Sequence, residues 1–185
     1  MVFASRSSYE RDLKAIQSLV RGKTDSNYRT EILQPQTGND SMKYGYNGIS
    51  QFSSVRNTDA SSTLDKLGFK SEGTNLNLRY QNNSILMDSL FGVRYNLSQQ
   101  PVKKFGFKEI TTKNGISLLE NEYALPIAFL SAKPYKNISF TNLTLDNQTR
   151  FIHQITDEKY KFYKEIKYSL AYFTKHYIFV ANCKN

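Results

Sequence analysis

Leu13, Ile16, Leu19 and Val20 recur at helical spacing behind Ser7-Ser8-Tyr9-Glu10, a pattern in which a serine hydroxyl and a glutamate three residues on cap each other's amides. This predicts a helix over 8–21, stopped by a left-handed Gly22. Tyr28 to Leu33 alternates as a strand, and Pro35 to Asp40 breaks it. Gly45-Tyr46-Asn47-Gly48-Ile49-Ser50-Gln51-Phe52-Ser53-Ser54 mixes glycines with rings and hydroxyls and reads as a loop. Two short helices follow, over 58–67 and 84–91, ended by Gly68 and Gly92. Val93 to Leu97 then reads as a strand. Phe105–Thr112 and Ile116–Glu120 flank Lys113-Asn114-Gly115, and Asn-Gly between apolar-rich runs is a strong hairpin signal. After Pro126, Ile127-Ala128-Phe129-Leu130 is expected to be a buried strand, and Asp146 to cap a helix running through Ile155. From Tyr160 the period returns to two, with Ile166, Tyr168, Leu170 and Tyr172 and then Tyr177 to Ala181 suggesting two further strands.

These elements divide the chain into three parts. Residues 1–23 form an N-terminal helix, a stalk or linker or else a packing helix. Residues 24–156 form an α+β domain with a mixed or antiparallel sheet and helices on one side. Residues 157–185 supply strands that pair with that sheet or start a β-sandwich; a sheet that stops there lacks partners, so a truncated second domain is expected.

Composition narrows the function classes. Of 185 residues, 13 are Tyr and 12 Phe with no Trp, so the core is rich in rings. The net charge of +9 is uneven: residues 1–92 carry 11 basic and 9 acidic side chains, and 93–185 carry 14 and 7. That excess favours anionic partners such as acidic headgroups or phosphate-rich polymers. Nucleic acid is not among them, because no aromatic RNA-binding motif, zinc finger or basic helix accompanies the charge. Cys183 is the only cysteine, and with His153 and His176 it makes no metal set, so neither a metal nor a cofactor is expected. The longest nearly apolar run, Ala124 to Ala132, falls far short of the ~20 residues a membrane helix needs. No signal-peptide pattern opens the chain. It is therefore either cytoplasmic or a soluble piece of something larger.

Phosphate loops, nucleophile elbows and metal-binding helix motifs are absent from the sequence, so no catalytic residue is assigned. Glu120 and Glu122, two apart on an extended strand, would share a face as a glycosidase pair does, or simply end a strand in solvent. Tyr44, Tyr46 and Phe52, with Asn47, Gln51 and Ser53, are a candidate sugar-binding set in which rings stack and amides bond hydroxyls; loop tyrosines also plug small cores. Lys159, Lys161, Lys164 and Lys167 interleave with Tyr160, Phe162, Tyr163 and Tyr168 and suit an anionic polymer or a membrane surface, or one face of a strand.

Three segments in order, Gly45 to Ser54, Leu90-Phe91-Gly92-Val93-Arg94-Tyr95 and Leu118-Leu119-Glu120-Asn121-Glu122-Tyr123-Ala124-Leu125-Pro126, resemble the extracytoplasmic region of bacterial YfhO-type membrane proteins. The resemblance covers roughly residues 28–130. It implies a multi-pass parent related to polyprenyl-phosphate-sugar glycosyltransferases, placed at the cell membrane with this region on the extracytoplasmic face, and acting in glycosylation of surface polymers such as lipoteichoic acid. It further implies that the region binds donor or acceptor, or forms a lid, while catalysis resides elsewhere. The implied partners are the membrane-embedded remainder of the polypeptide and a polyprenyl-linked sugar or teichoic-acid-like polymer. The alternative is a freestanding carbohydrate- or anionic-polymer-binding module without enzymatic activity.

Overall fold

The computed structural model describes residues 6–23, 25–55, 57–72, 77–81, 83–131, 138–159, 162 and 163. Helix α1 (Arg6–Lys23) runs straight through Gly22, whose backbone stays helical, so the left-handed stop expected there does not occur. Its Ala15, Ile16, Leu19 and Val20 are buried, which makes it a packing helix along that length. Strand β1 (Arg29–Ile32) leads to the short helix α2 (Asp40–Tyr44), which Gly45 closes in the left-handed conformation. Asp40 builds the connection between them, accepting from the amides of Gln36 and Thr37 and from the Thr37 hydroxyl.

Helix α3 (Thr58–Lys66) starts where Asn57 Oδ1 accepts from the Ala60 amide, and helix α4 (Ile85–Leu90) where Ser84 Oγ accepts from the Met87 amide. Each satisfies a donor that the first turn leaves unpaired. Gly68 and Gly92 follow them at φ +99° and +69°, as their positions in the sequence predict.

The main sheet has the order β1-β5-β7-β6, with β5 (Val93–Ser98), β6 (Phe107–Lys113) and β7 (Ile116–Asn121). The pair β1–β5 is parallel and the others antiparallel, so the sheet is mixed, in an α+β fold. Asn114 and Gly115, both at positive φ, form the two-residue turn between β6 and β7. A second, smaller sheet, β2-β4-β3, consists of two-residue strands at Gln51–Phe52 (β2), Ser71–Glu72 (β3) and Asn77–Leu78 (β4).

Two apolar clusters result, one on each face of the main sheet. On one face Tyr95, Leu97, Ile116, Leu118 and Ile32 meet α1 and the fully buried Tyr44. On the other, Val93 joins Ile49, Leu67, Phe69, Leu78, Tyr80 and Met87, together with Ile152 of helix α5 (Thr144–Thr156). Leu143, not Asp146, holds the N-cap position of α5; Asp146 lies in the first turn and accepts from Arg150. Residues 127–130 form no strand. The Ile127 amide bonds to the Asn27 carbonyl and Leu130 is wholly exposed, because no strand among the described residues offers this run a ladder. The strands expected from 160 onward lie outside the described residues, apart from 162 and 163.

Candidate functional site

A cleft of about 580 Å³ opens between the small sheet, α3 and α5. Its wall is apolar: Ile49, Leu64, Leu78, Phe91 and Phe151 line it. Phe91 is the organising ring, stacked on Phe151 at 6.0 Å and edge-on to Phe69 at 5.0 Å. The exposed Gln51, Asn57, Asp59 and Ala60 line the outer part.

Arg29 is the one cation among the described residues that line this cleft. It begins β1, where its amide bonds to the Gly92 carbonyl and its Nη1 donates to the Phe91 carbonyl at 2.5 Å. Among the described residues its guanidinium has no carboxylate at ion-pair distance. Burial weakens its hold on the proton, and Glu31 opposes that effect as a more distant charge. A half-buried guanidinium beside an apolar wall, with no carboxylate partner among the described residues, is well placed to take a carboxylate or phosphate oxygen.

Glu31 sets the near wall. Its Oε1 accepts from the Ile49 and Ser50 amides and its Oε2 from the Ser50 hydroxyl, which pins residues 48–50 against β1. Burial raises its pKa to about 6 against those three hydrogen bonds, with the Asp88 charge pushing in the same direction as burial. Behind it lie Tyr80, Asp88, Asn96 and Lys104, a buried polar group in which Asp88 Oδ1 is left without a hydrogen bond among the described residues. Tyr80 Oη donates to Asp88 Oδ2 at 3.0 Å, and Lys104 Nζ donates to Asn96 Oδ1 at 2.8 Å and also to Tyr80 Oη. Burial raises the Tyr80 pKa strongly, so its phenol stays protonated.

The candidate sugar-binding residues do not converge on one surface. Tyr44 is core, and its hydroxyl donates to Gln36 Oε1 at 2.8 Å. Tyr46 and Asn47 line a second cleft of about 380 Å³ near the end of α1, where Asn47 Nδ2 donates to the Ser26 carbonyl. Gln51 lines the larger cleft. Phe52 is half exposed, with its amide bonded to Asn39 Oδ1, and the Ser53 hydroxyl is engaged in a turn with Val55. Of the four lysines, Lys159 is exposed and Lys161, Lys164 and Lys167 lie outside the described residues. Glu120 and Glu122 are separately neutralised, by Arg94 at 2.8 Å and by Lys108 at 3.1 Å. Among the described residues no three His, Cys, Asp or Glu side chains gather as a metal site, and no helix is long and apolar enough to cross a membrane.

Arg29 escaped the sequence reading, although one signal was there. In Arg29-Thr30-Glu31-Ile32, strand alternation puts both ionisable residues on one face and Thr30 and Ile32 on the other. With Ile32 in the core, Arg29 and Glu31 had to face something other than α1.

A family model described as bacterial membrane protein YfhO matches residues 1–181. No curated protein and no solved structure matches the chain.

Proposed function

This chain belongs to the bacterial membrane protein YfhO family, and we propose from that premise that the described domain is the ligand-binding part, on the extracytoplasmic face, of a glycosyltransferase-like protein that decorates cell-surface polymers. It contributes binding and not bond chemistry. The observation that carries this reading is the cleft of about 580 Å³, within the size range of small-molecule sites, in which an apolar wall and the Arg29 guanidinium lie side by side.

Such a cleft suits an amphiphile with an anionic head. A polyprenyl-linked sugar has the matching order of chemistry: isoprene units for Leu64, Leu78 and Phe151, a phosphate for Arg29, and sugar hydroxyls for Asn57, Asp59 and Gln51.

Calorimetric titration of the chain with farnesyl phosphate, farnesol and inorganic phosphate tests the reading. Farnesyl phosphate is expected to bind at least tenfold more tightly than either fragment. Arg29→Gln should remove the preference over farnesol, and Ala60→Trp, a change on the exposed side of α3, should block binding by filling the cleft. Equal affinities for all three probes, or an unaltered isotherm with Ala60→Trp, would refute it.

A further inference from the structure

The segment after β7 is both apolar and exposed. From Tyr123 to Ser131 it contains no ionisable group other than the tyrosine phenol. Tyr123 is 69% exposed, Phe129 45% and Leu130 100%, with Leu125 and Ile127 each 39%. An isolated exposed leucine is ordinary, but five large apolar residues in one short segment form a patch that needs a partner.

The segment is anchored to the fold at both ends. The Leu125 amide bonds to the Ser89 carbonyl at 2.8 Å, the Ile127 amide to the Asn27 carbonyl at 2.9 Å, and the Ser131 hydroxyl to the Ile155 carbonyl at 2.7 Å. The last of these ties the segment to the C-terminal turn of α5. Basic and aromatic residues follow in the sequence at both places: Lys133, Tyr135 and Lys136 after the apolar segment, and Lys159, Lys161, Lys164 and Lys167 among tyrosines after α5. Over 159–167 four lysines face a single acid, Glu165.

We propose that the 123–131 segment is a membrane-docking loop that inserts its apolar side chains into the interface of a bilayer bearing anionic headgroups. Phe129 and Leu130 enter the acyl boundary and Tyr123 sits at headgroup depth. The sequence chemistry selects lipid over a protein partner. The loop offers no charge and almost no hydrogen-bonding side chain with which a protein surface could be specified, while the sequence that follows it is rich in lysine and complements an acidic bilayer. Membership of a membrane-protein family supplies the bilayer. This inference does not depend on what occupies the cleft.

The test is vesicle binding by the chain carrying Phe129→Trp, using phosphatidylcholine alone and phosphatidylcholine mixed with phosphatidylglycerol. The expected result is co-sedimentation favoured by the anionic lipid, a blue-shifted tryptophan emission, and quenching by brominated acyl chains. Leu130→Ser should lower partitioning about tenfold, the loss of one inserted side chain, without altering the circular dichroism spectrum, because Leu130 touches no core. Binding without quenching would mean adsorption through lysines alone and overturns the proposal, as does absence of binding to either vesicle. Lipid-free dimerisation abolished by Leu130→Ser would assign the patch to a second copy of the chain and also overturns it.

Discussion

Lys104 Nζ lies 2.6 Å from Asp88 Oδ2 in the interior, with the lysine side chain almost inaccessible and the aspartate completely so. The ammonium also sits 4.1 Å from the centroid of the Phe107 ring and 4.9 Å from that of Tyr80. Neither charge would be tolerated there alone, because solvent that would compensate it has been removed. Asp88→Asn leaves the lysine buried without an anion and should cost about 3–5 kcal/mol in urea denaturation. Lys104→Met should cost a similar amount for the complementary reason, and the double variant Asp88→Leu/Lys104→Met should recover much of the loss. Single variants that each cost less than about 1 kcal/mol would show that the pair is solvated in solution.

Acidification should stabilise this protein between pH 7 and pH 5. Burial raises Glu31 from 4.5 to about 6. The folded state therefore binds this proton more tightly than the unfolded chain does. Its contribution is fully present below about pH 4 and is lost as pH rises through about 6. Melting temperatures across the window give the slope, and Glu31→Gln should flatten it. A Tm that falls steadily from pH 7 to 5 would contradict the assignment.

The parts of the fold that were legible in the sequence have local causes. Helices α3 and α4 announce themselves by periodic apolar residues followed by Gly68 and Gly92, and the β6–β7 turn by Asn114-Gly115, since these residues alone tolerate the backbone angles required. The second sheet left no trace because β2, β3 and β4 have two residues each, too few for a period to register. That omission also hid the site. Arg29, Glu31, Asp88 and Lys104 look like surface charges until the small sheet and α4 cover them. Tyr44 was misplaced for the opposite reason: a tyrosine among glycines and hydroxyls has the chemistry of a binding loop, and only the packing of α1 against α2 makes it core. Ile127 to Leu130 has the composition of a buried strand, but apolarity alone does not say what lies next to it.

Gly92 should be far less replaceable than Gly115. Both have positive φ, +69° and +76°, which costs an L-residue about 1–2 kcal/mol. A Cβ on Gly115 would meet nothing within 4 Å, whereas one on Gly92 would stand 2.9 Å from the Leu125 carbonyl oxygen. That oxygen is backbone, and the same residue's amide is bonded to Ser89, so it has little room to retreat. Gly115→Ala should therefore lose only the conformational amount, and Gly92→Ala at least about 1 kcal/mol more. Equal losses in chemical denaturation would mean that the 123–131 segment yields freely, which would also weaken its role as an anchored loop.

Glu120 and Glu122 should separate in the same way, through what each one touches. Arg94 presents Nε and Nη2 to the same Glu120 oxygen, each at 2.8 Å, while its guanidinium lies 4.5 Å over the Tyr28 ring. That pair is partly shielded and its arginine is held flat by the stack, so less side-chain entropy is lost in forming it. Lys108 and Glu122 are both largely in solvent, where one flexible ammonium meets one carboxylate. Glu120→Gln should cost about 1 kcal/mol and Glu122→Gln no more than about 0.3 kcal/mol, and added salt should narrow the gap only slightly because the first pair is less screened. Equal costs, or a gap that vanishes at high salt, would place Glu120 in solvent as well and remove the stacked arginine from the structural account of this sheet edge.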